Sequence, residues 1–461
     1  MLDLVLAAFV MGLIALGLRR PFVWLLAYLY VDIVAPQKIS YFLLASLPLS
    51  LIVFVAAFAG WALLDDKSDS RFTVRQGMML TLLIYCGVTT LTADFPVEAA
   101  EKWAWVWKAL VFAIFLPLTL RTRLRLEAVV LFMVLSAGSI VITGAIKTLA
   151  SGGGYGSLHF FVSDNTGLYE GSIISCVAIA IIPLVLWLGR HGTIFPPDKR
   201  VRLFAFALAF ACLLIPVGTQ ARTGLLCIGL LGILTLRSAK NRVLYIGGIG
   251  LLAVMAVPFL PKTFTERMST IENHQADQSA STRLAVWAWT IDYAKDNPLG
   301  GGFDSFRSNK LLIQTRDAET DGNTTSVAVS TVEDQGRAFH SSYFEMLGEQ
   351  GWPGLALWLS LQISGLWQME RLRARWRKRS LAPDAGPDVH WQAPLATALQ
   401  QAQFVYLLGS AFVGIAYQPF ILMLIGLQCG LWSYLRRIDA PERTVIRPKP
   451  RLRLGSEPLA P

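Results

Sequence analysis

The chain has 461 residues, of which 54% are hydrophobic and only 16% charged, with a mean hydropathy of +0.50. Soluble proteins carry about 25% charged residues, so this balance excludes a soluble globular protein and indicates a polytopic helical membrane protein. The net charge of +10 gathers in short loops, at Arg19-Arg20, Arg121 to Arg125, Arg237 to Arg242 and Arg371 to Arg379, which is the positive-inside pattern and not a nucleic-acid surface.

Apolar runs long enough to cross a bilayer as helices lie near 2–18, 21–35, 41–64, 77–93, 104–120, 127–147, 167–189, 202–218, 223–236, 243–260, 353–368, 396–416 and 418–435. The first two are short, and the last two are separated only by Tyr417-Gln418-Pro419, so the count is 12 to 13 spans. Long apolar runs exclude a transmembrane β-barrel, whose strands alternate over about ten residues. The fold expected is all-α and polytopic, with a large, partly helical loop outside. An N-terminal transmembrane region covers 1–260, the loop 261–350, C-terminal transmembrane helices 351–436 and a cytoplasmic tail 437–461. The first run carries Asp3, has no basic region before it and is followed by Arg19-Arg20. That order reads as an uncleaved anchor with its N-terminus outside. The five cysteines (Cys86, Cys176, Cys212, Cys227, Cys429) fall within apolar runs and read as small buried hydrophobes.

With the C-terminus inside, the segments facing out are those around 36–40, 94–103, 148–166 and 261–350, together with GTQARTG at 218–224. The glycine run in 148–166 lacks the GK[ST] of a phosphate loop. In the long loop, 281–296 predicts a helix that begins near Arg283, with Leu284, Trp287, Ala288 and Ile291 on one stripe. Asn297-Pro298 and three glycines stop it. The polar stretch 308–336 reads as mobile. Ser342 to Glu345 has the S-x-x-E form of a capping box and predicts a helix start that puts His340 just before a helix N-terminus. The partial positive charge there disfavours imidazolium and favours bound anions. Residues 369–395 read as a solvated basic loop facing anionic inner-leaflet lipid, and the tail after 436 as disordered.

Three residues stand out for chemistry. A charge at the edge of a span is costly, about 2.5–3.5 kcal/mol at the bilayer centre. Arg222 could merely snorkel to the headgroups, yet it stands in a polar patch of Gly218, Thr219, Gln220, Thr223 and Gly224. An arginine in a first helical turn opposes the helix dipole, so Arg283 has no local stabilising role there; the bland reading is a surface charge paired with a carboxylate. His340 could be a structural histidine or a general base. Of the other four, His191 and His390 fall in inner loops, and His159 and His274 lie outside. The outer acids form no DxD and no metal-ligand spacing, so neither a metal nor another cofactor is expected. Asp32, inside a span, reads as paired locally. Polar groups gather at the outer edge rather than lining several spans, which argues against a transporter of lipid or glycan.

QARTG at the span edge, R-L-x-x-W at 283–287 followed by NPLGGGFDSF, and FHSSYFEMLGEQGWPGLALW resemble the O-antigen ligase and O-antigen polymerase superfamily, best over about 200–370. The N-terminal LRRPFVWLLAYLYVDIVAPQKIS is similar to the branch of exosortase-associated O-glycosylation ligases. The resemblance implies a metal-independent transferase of the bacterial inner membrane, with its active site facing the periplasm. The donor it implies is an undecaprenyl-pyrophosphate-linked glycan, and the acceptor of a ligase is a sugar hydroxyl of lipid A-core. The family's two essential arginines map to Arg222 and Arg283, and its essential histidine to His340. Gln220, Thr223, Arg337 and Tyr343 are the expected supporting residues. Ser341 stands where the family commonly has asparagine. An O-antigen polymerase and a protein O-oligosaccharyltransferase of the same superfamily would use the same three residues.

Overall fold

The computed structural model describes residues 2–67, 71–150, 167–237, 241–244, 246–247, 278–321, 324–384 and 386–439. The first half is a chain of antiparallel helices: α1 (Leu2–Arg19), α2 (Phe22–Val34), the single turn α3 (Pro36–Ile39), α4 (Leu49–Ala59), α5 (Val74–Leu91), α6 (Pro96–Thr119) and α7 (Arg123–Ala150). There follow α8 (Gly171–His191), α9 (Lys199–Gly218), α10 (Arg222–Leu236), α11 (Gln278–Asp296), α12 (Ser342–Ser380), α13 (Gln392–Gly409) and α14 (Pro419–Asp439). The all-α polytopic class expected from the sequence is what the structure shows. Seven described helices are long and apolar enough to cross a membrane, and α2, α4 with its continuation to Leu64, and α10 are shorter apolar helices. The expected span 243–260, the loop 151–166 and the tail beyond 439 lie largely or wholly outside the described residues.

Two helices form the centre. α8 packs on α7, α9, α10 and α13, and α14 packs on α6, α12, α13, α2, α5 and α7. Both are apolar on nearly every side, as a helix surrounded by other helices must be. All five cysteines are buried thiols.

The two ends of the bundle differ. At one end carboxylates are pinned by arginines: Asp65 takes both guanidinium nitrogens of Arg125 at 2.8 Å, Glu127 takes Arg123 at 2.8 Å and Asp439 takes Arg375 at 2.9 Å. The opposite end gathers the segments expected outside. Tyr169 donates to the Val34 carbonyl at 2.7 Å, Gln418 to the Gly167 carbonyl at 3.0 Å, and the Asp94 amide to the Gly301 carbonyl at 2.9 Å.

Several sequence expectations are corrected. Within the polar stretch 308–336 the described residues include two antiparallel strands, β1 (Lys310–Asp321) and β2 (Thr324–Gln335), in register from Lys310 opposite Gln335 to Asp321 opposite Thr324. Their threonines and valines favour extended backbone, which a reading of polarity alone overlooks. The expected basic loop 369–395 is helix as far as Ser380, because α12 buries Leu372 and Trp376 one turn apart and Glu370 holds Arg373 at 2.9 Å. The last two spans are separated by nine residues, 410–418, that fold back over the end of the bundle. α11 begins at Gln278, so Arg283 lies in its second turn, not its first. Its buried face is Val286, Thr290 and Ala294, whereas Leu284 and Ile291 of the expected stripe are exposed.

The glycine-rich NPLGGG turn has a structural partner. α12 is kinked at Gly351, which adopts φ 63°. The Gly301 and Gly302 amides donate to the Gly348 and Glu349 carbonyls at 3.0 and 2.9 Å, and the Trp352 amide to the Pro298 carbonyl at 3.0 Å. A Cβ on Gly300 would meet the Glu349 carbonyl oxygen at 2.5 Å. The turn and the kink are therefore locked backbone to backbone, which fixes the short helix 342–350 against the bundle.

Candidate active site

Arg222 is set by the turn between α9 and α10. Thr219 closes α9, Gln220 is buried with a left-handed φ of 52°, and Arg222 is the first residue of α10. A cation there opposes the helix dipole and gains nothing from it. Thr219 and Ser175 of α8 share a hydrogen bond of 2.7 Å, and Thr223 is buried. The flanking glycines serve packing: a Cβ on Gly218 would run into the Thr148 hydroxyl, and one on Gly224 would meet Pro216 at 2.6 Å.

His340 is held from both sides by α11. Trp287 donates to the Phe339 carbonyl at 2.8 Å and stacks on Phe344, with ring centroids 4.9 Å apart and planes 7° from parallel. His340 itself has φ 47°, a left-handed conformation rare for a residue with a side chain. Such strain persists only where the surroundings impose it, and it clusters at functional sites. Its ring keeps an exposed edge, while the protein packed behind it disfavours the charged form. That desolvation, followed by the positive charges of Arg283 and Arg337, holds its pKa below the usual histidine value. Arg337 is fixed by Asn309, which accepts from its amide at 3.0 Å and donates to its carbonyl at 2.7 Å, and its guanidinium pairs with Asp334 at 2.5 Å.

The expected capping box does not form. Ser341 is the N-cap with no side-chain hydrogen bond. Ser342 instead donates to the Val413 carbonyl at 3.0 Å and accepts from the Ile415 amide at 2.9 Å, and its own amide donates to the Ser410 carbonyl at 2.7 Å. Tyr343 turns into the bundle and donates to the Leu407 carbonyl at 3.1 Å. It anchors the helix.

These anchors relate the two halves of the site. The Cys227 thiol of α10 lies 3.6 Å from the Val405 carbonyl of the antiparallel α13. Five residues outward on each helix, about 7 Å at 1.5 Å per residue, bring Arg222 to the level of Ser410, on which the start of α12 rests. Arg222, Arg283, Arg337 and His340 thus occupy the same end of the molecule.

One constellation was not anticipated. The Lys102 ammonium donates to Glu345 at 2.8 Å and Glu349 at 2.7 Å and lies 3.8 Å from Asp304. Glu345 also accepts from the Ala416 amide at 3.0 Å, and Glu349 from the Asp304 amide at 3.0 Å. Burial is the leading cause pushing the Glu349 carboxyl up, to about 8, with Glu345 adding to it and Lys102 opposing. The available signal was spacing. Glu345 and Glu349 sit four apart on one helical face, where like charges repel unless a cation bridges them. Among the described residues no group of three His, Cys, Asp or Glu is placed to hold a metal ion.

The chain is thus a polytopic all-α membrane protein that presents a histidine among arginines at one end of its helices. Residues 207–359, about a third of the chain, match the family model described as O-Antigen ligase, and that segment holds Arg222, Arg283 and His340. Residues 1–193 match a family of unknown function, DUF5935. No curated protein matches the chain.

Proposed function

We propose that this protein is an O-antigen ligase that transfers a glycan en bloc from undecaprenyl pyrophosphate to a lipid A-core hydroxyl at the periplasmic face of the inner membrane. The observation that supports it best is the strained His340, faced by Arg283 and Arg337, inside the region matched by the O-antigen ligase family. His340 takes the proton of the acceptor hydroxyl as its oxygen attacks the anomeric carbon. The bond from that carbon to the pyrophosphate oxygen breaks, and the lipid pyrophosphate leaves with the electron pair. Arg222 and Arg283 hold the pyrophosphate and stabilise its growing charge, so positioning and electrostatics supply most of the rate. A pyrophosphate leaves without a general acid, so the carboxylate pair of a glycosidase is not needed. A single displacement inverts the anomeric configuration; a retained configuration in the product would contradict this mechanism.

The acceptor decides between the ligase and its relatives. Purified protein given the lipid-linked glycan and lipid A-core is expected to yield glycan-capped lipid A-core. A ladder of longer glycans from the donor alone would identify a polymerase, glycosylation of an added protein would identify a protein O-oligosaccharyltransferase, and movement of unreacted donor across a vesicle would identify a transporter.

The pH profile follows from the site's charges. A depressed pKa keeps His340 neutral, and able to accept a proton, to lower pH than an ordinary histidine. The acidic limb of kcat/KM, which reports the free enzyme, is expected below 6.5. Arg337→Gln removes one of the opposing charges and is expected to move the limb upward. A wild-type limb above 6.5, or one that Arg337→Gln leaves in place, would remove His340 as the base.

A further inference from the structure

At the end of the bundle opposite His340, α8, α10, α12 and α13, with Arg242 and His390, line an open cavity of about 910 Å³. Five arginines line it: Arg190, Arg237, Arg242, Arg373 and Arg377. Among the described residues no carboxylate lines it. Glu370 stands behind the wall and ties Arg237 to Arg373, at 2.9 Å from each. The inner wall is apolar, made by Leu186, Trp187, Pro394 and Ala398. Trp187 is fixed there by donating to the Trp391 carbonyl at 3.1 Å.

We propose that this cavity binds the phosphate-bearing head of an anionic amphiphile, such as an acidic phospholipid of the leaflet on that side. Basic loops alone scatter charge over a surface, whereas here five guanidinium groups line one concavity and, among the described residues, no carboxylate does. Such a lining costs repulsion unless an anion enters. Guanidinium forks match phosphate oxygens and resist loss of charge. The apolar wall beside them suits hydrocarbon next to a charged head, the usual composition of a ligand site of this size. The cavity lies at the other end of the helices from Arg222 and His340, so its occupancy is separable from glycan transfer.

Native mass spectrometry of the full chain, delipidated in neutral detergent, tests this with three probes: dioleoyl phosphatidylglycerol, dioleoyl phosphatidylcholine and inorganic phosphate. The wild type is expected to bind phosphatidylglycerol at least tenfold more tightly than phosphatidylcholine. Arg190→Gln with Arg377→Gln is expected to lose at least tenfold of that affinity, and Arg19→Gln with Arg20→Gln, outside the cavity, to keep it. Phosphatidylglycerol that millimolar inorganic phosphate does not displace assigns the site to a lipid; displacement, with phosphate binding lost in the same cavity variant, assigns it to a soluble phosphate. Equal binding of the two lipids, or equal losses in both double variants, would overturn the proposal. Thermal unfolding without lipid checks that the cavity variant is folded. If it is not, Arg377→Gln alone carries the comparison, with a smaller loss expected and no loss overturning the site.

Discussion

Replacing Arg222 by lysine is expected to cut glycan transfer by about 10²–10³-fold, the effect of removing one well-placed donor to a developing oxyanion, while thermal unfolding changes little. The position explains both halves of this expectation. As the first residue of α10 the arginine draws no local stability from the helix dipole, so shortening its fork should not unfold the turn. Lysine keeps the charge but offers a point where the pyrophosphate needs two parallel donors. The measurement is kcat/KM for the lipid-linked donor with wild type and variant side by side. Activity within a few fold of wild type would count against a phosphate clamp at this residue.

The largest effect on stability is expected at Lys102. Lys102→Met would leave Glu345, Glu349 and Asp304 facing one another without their shared cation, and Glu349 is fully buried. Removing one partner of a buried ion pair costs about 3–5 kcal/mol, enough to lower the thermal midpoint by many degrees and to release the 342–350 helix that carries His340. The cost should be largest above about pH 8, where the Glu349 carboxyl, pushed up by burial to about 8, carries its charge, and should ease as pH falls through that value. It should also ease in Lys102→Met with Glu349→Gln. A Lys102→Met protein that unfolds like wild type, or one that is not rescued by either route, would show that the cluster does not hold this helix.

The fold was legible where the bilayer itself sets the rule. Membrane thickness fixes how long an apolar run must be, so most helices stood out by length, and the basic loops separated the two ends. Tertiary contacts erased other signals. Ser342 and Glu345 have the spacing of a capping box, but Val413, Ile415, Ala416 and Lys102 take their side chains instead. The covered face of α11 lies two residues along from the apolar stripe of its sequence, because tryptophans and small residues occur on several of its faces and only the partners Phe339 and Phe344 decide which one is covered. The pairing of Arg283 with His340 depends on that contact, which spans 52 residues between Trp287 and Phe339 and which no local spacing encodes. Local position pointed to each of these residues singly, and motif resemblance implied that they act together. Lys102 is not legible in the sequence, because a lone lysine beside an apolar run resembles any surface charge until Glu345 and Glu349 are placed around it.

The central claim is that His340 is the base of a glycan transfer that needs no metal. It is tested most directly by supplying undecaprenyl-pyrophosphate glycan and lipid A-core, with EDTA present, to wild type and to His340→Ala at matched folded concentration. General base catalysis contributes about 10²–10⁴-fold, so the account expects glycan-capped lipid A-core from the wild type and a loss of that size in the variant. Transfer by His340→Ala at a rate close to wild type, or wild-type transfer that EDTA abolishes and a divalent metal restores, would contradict it.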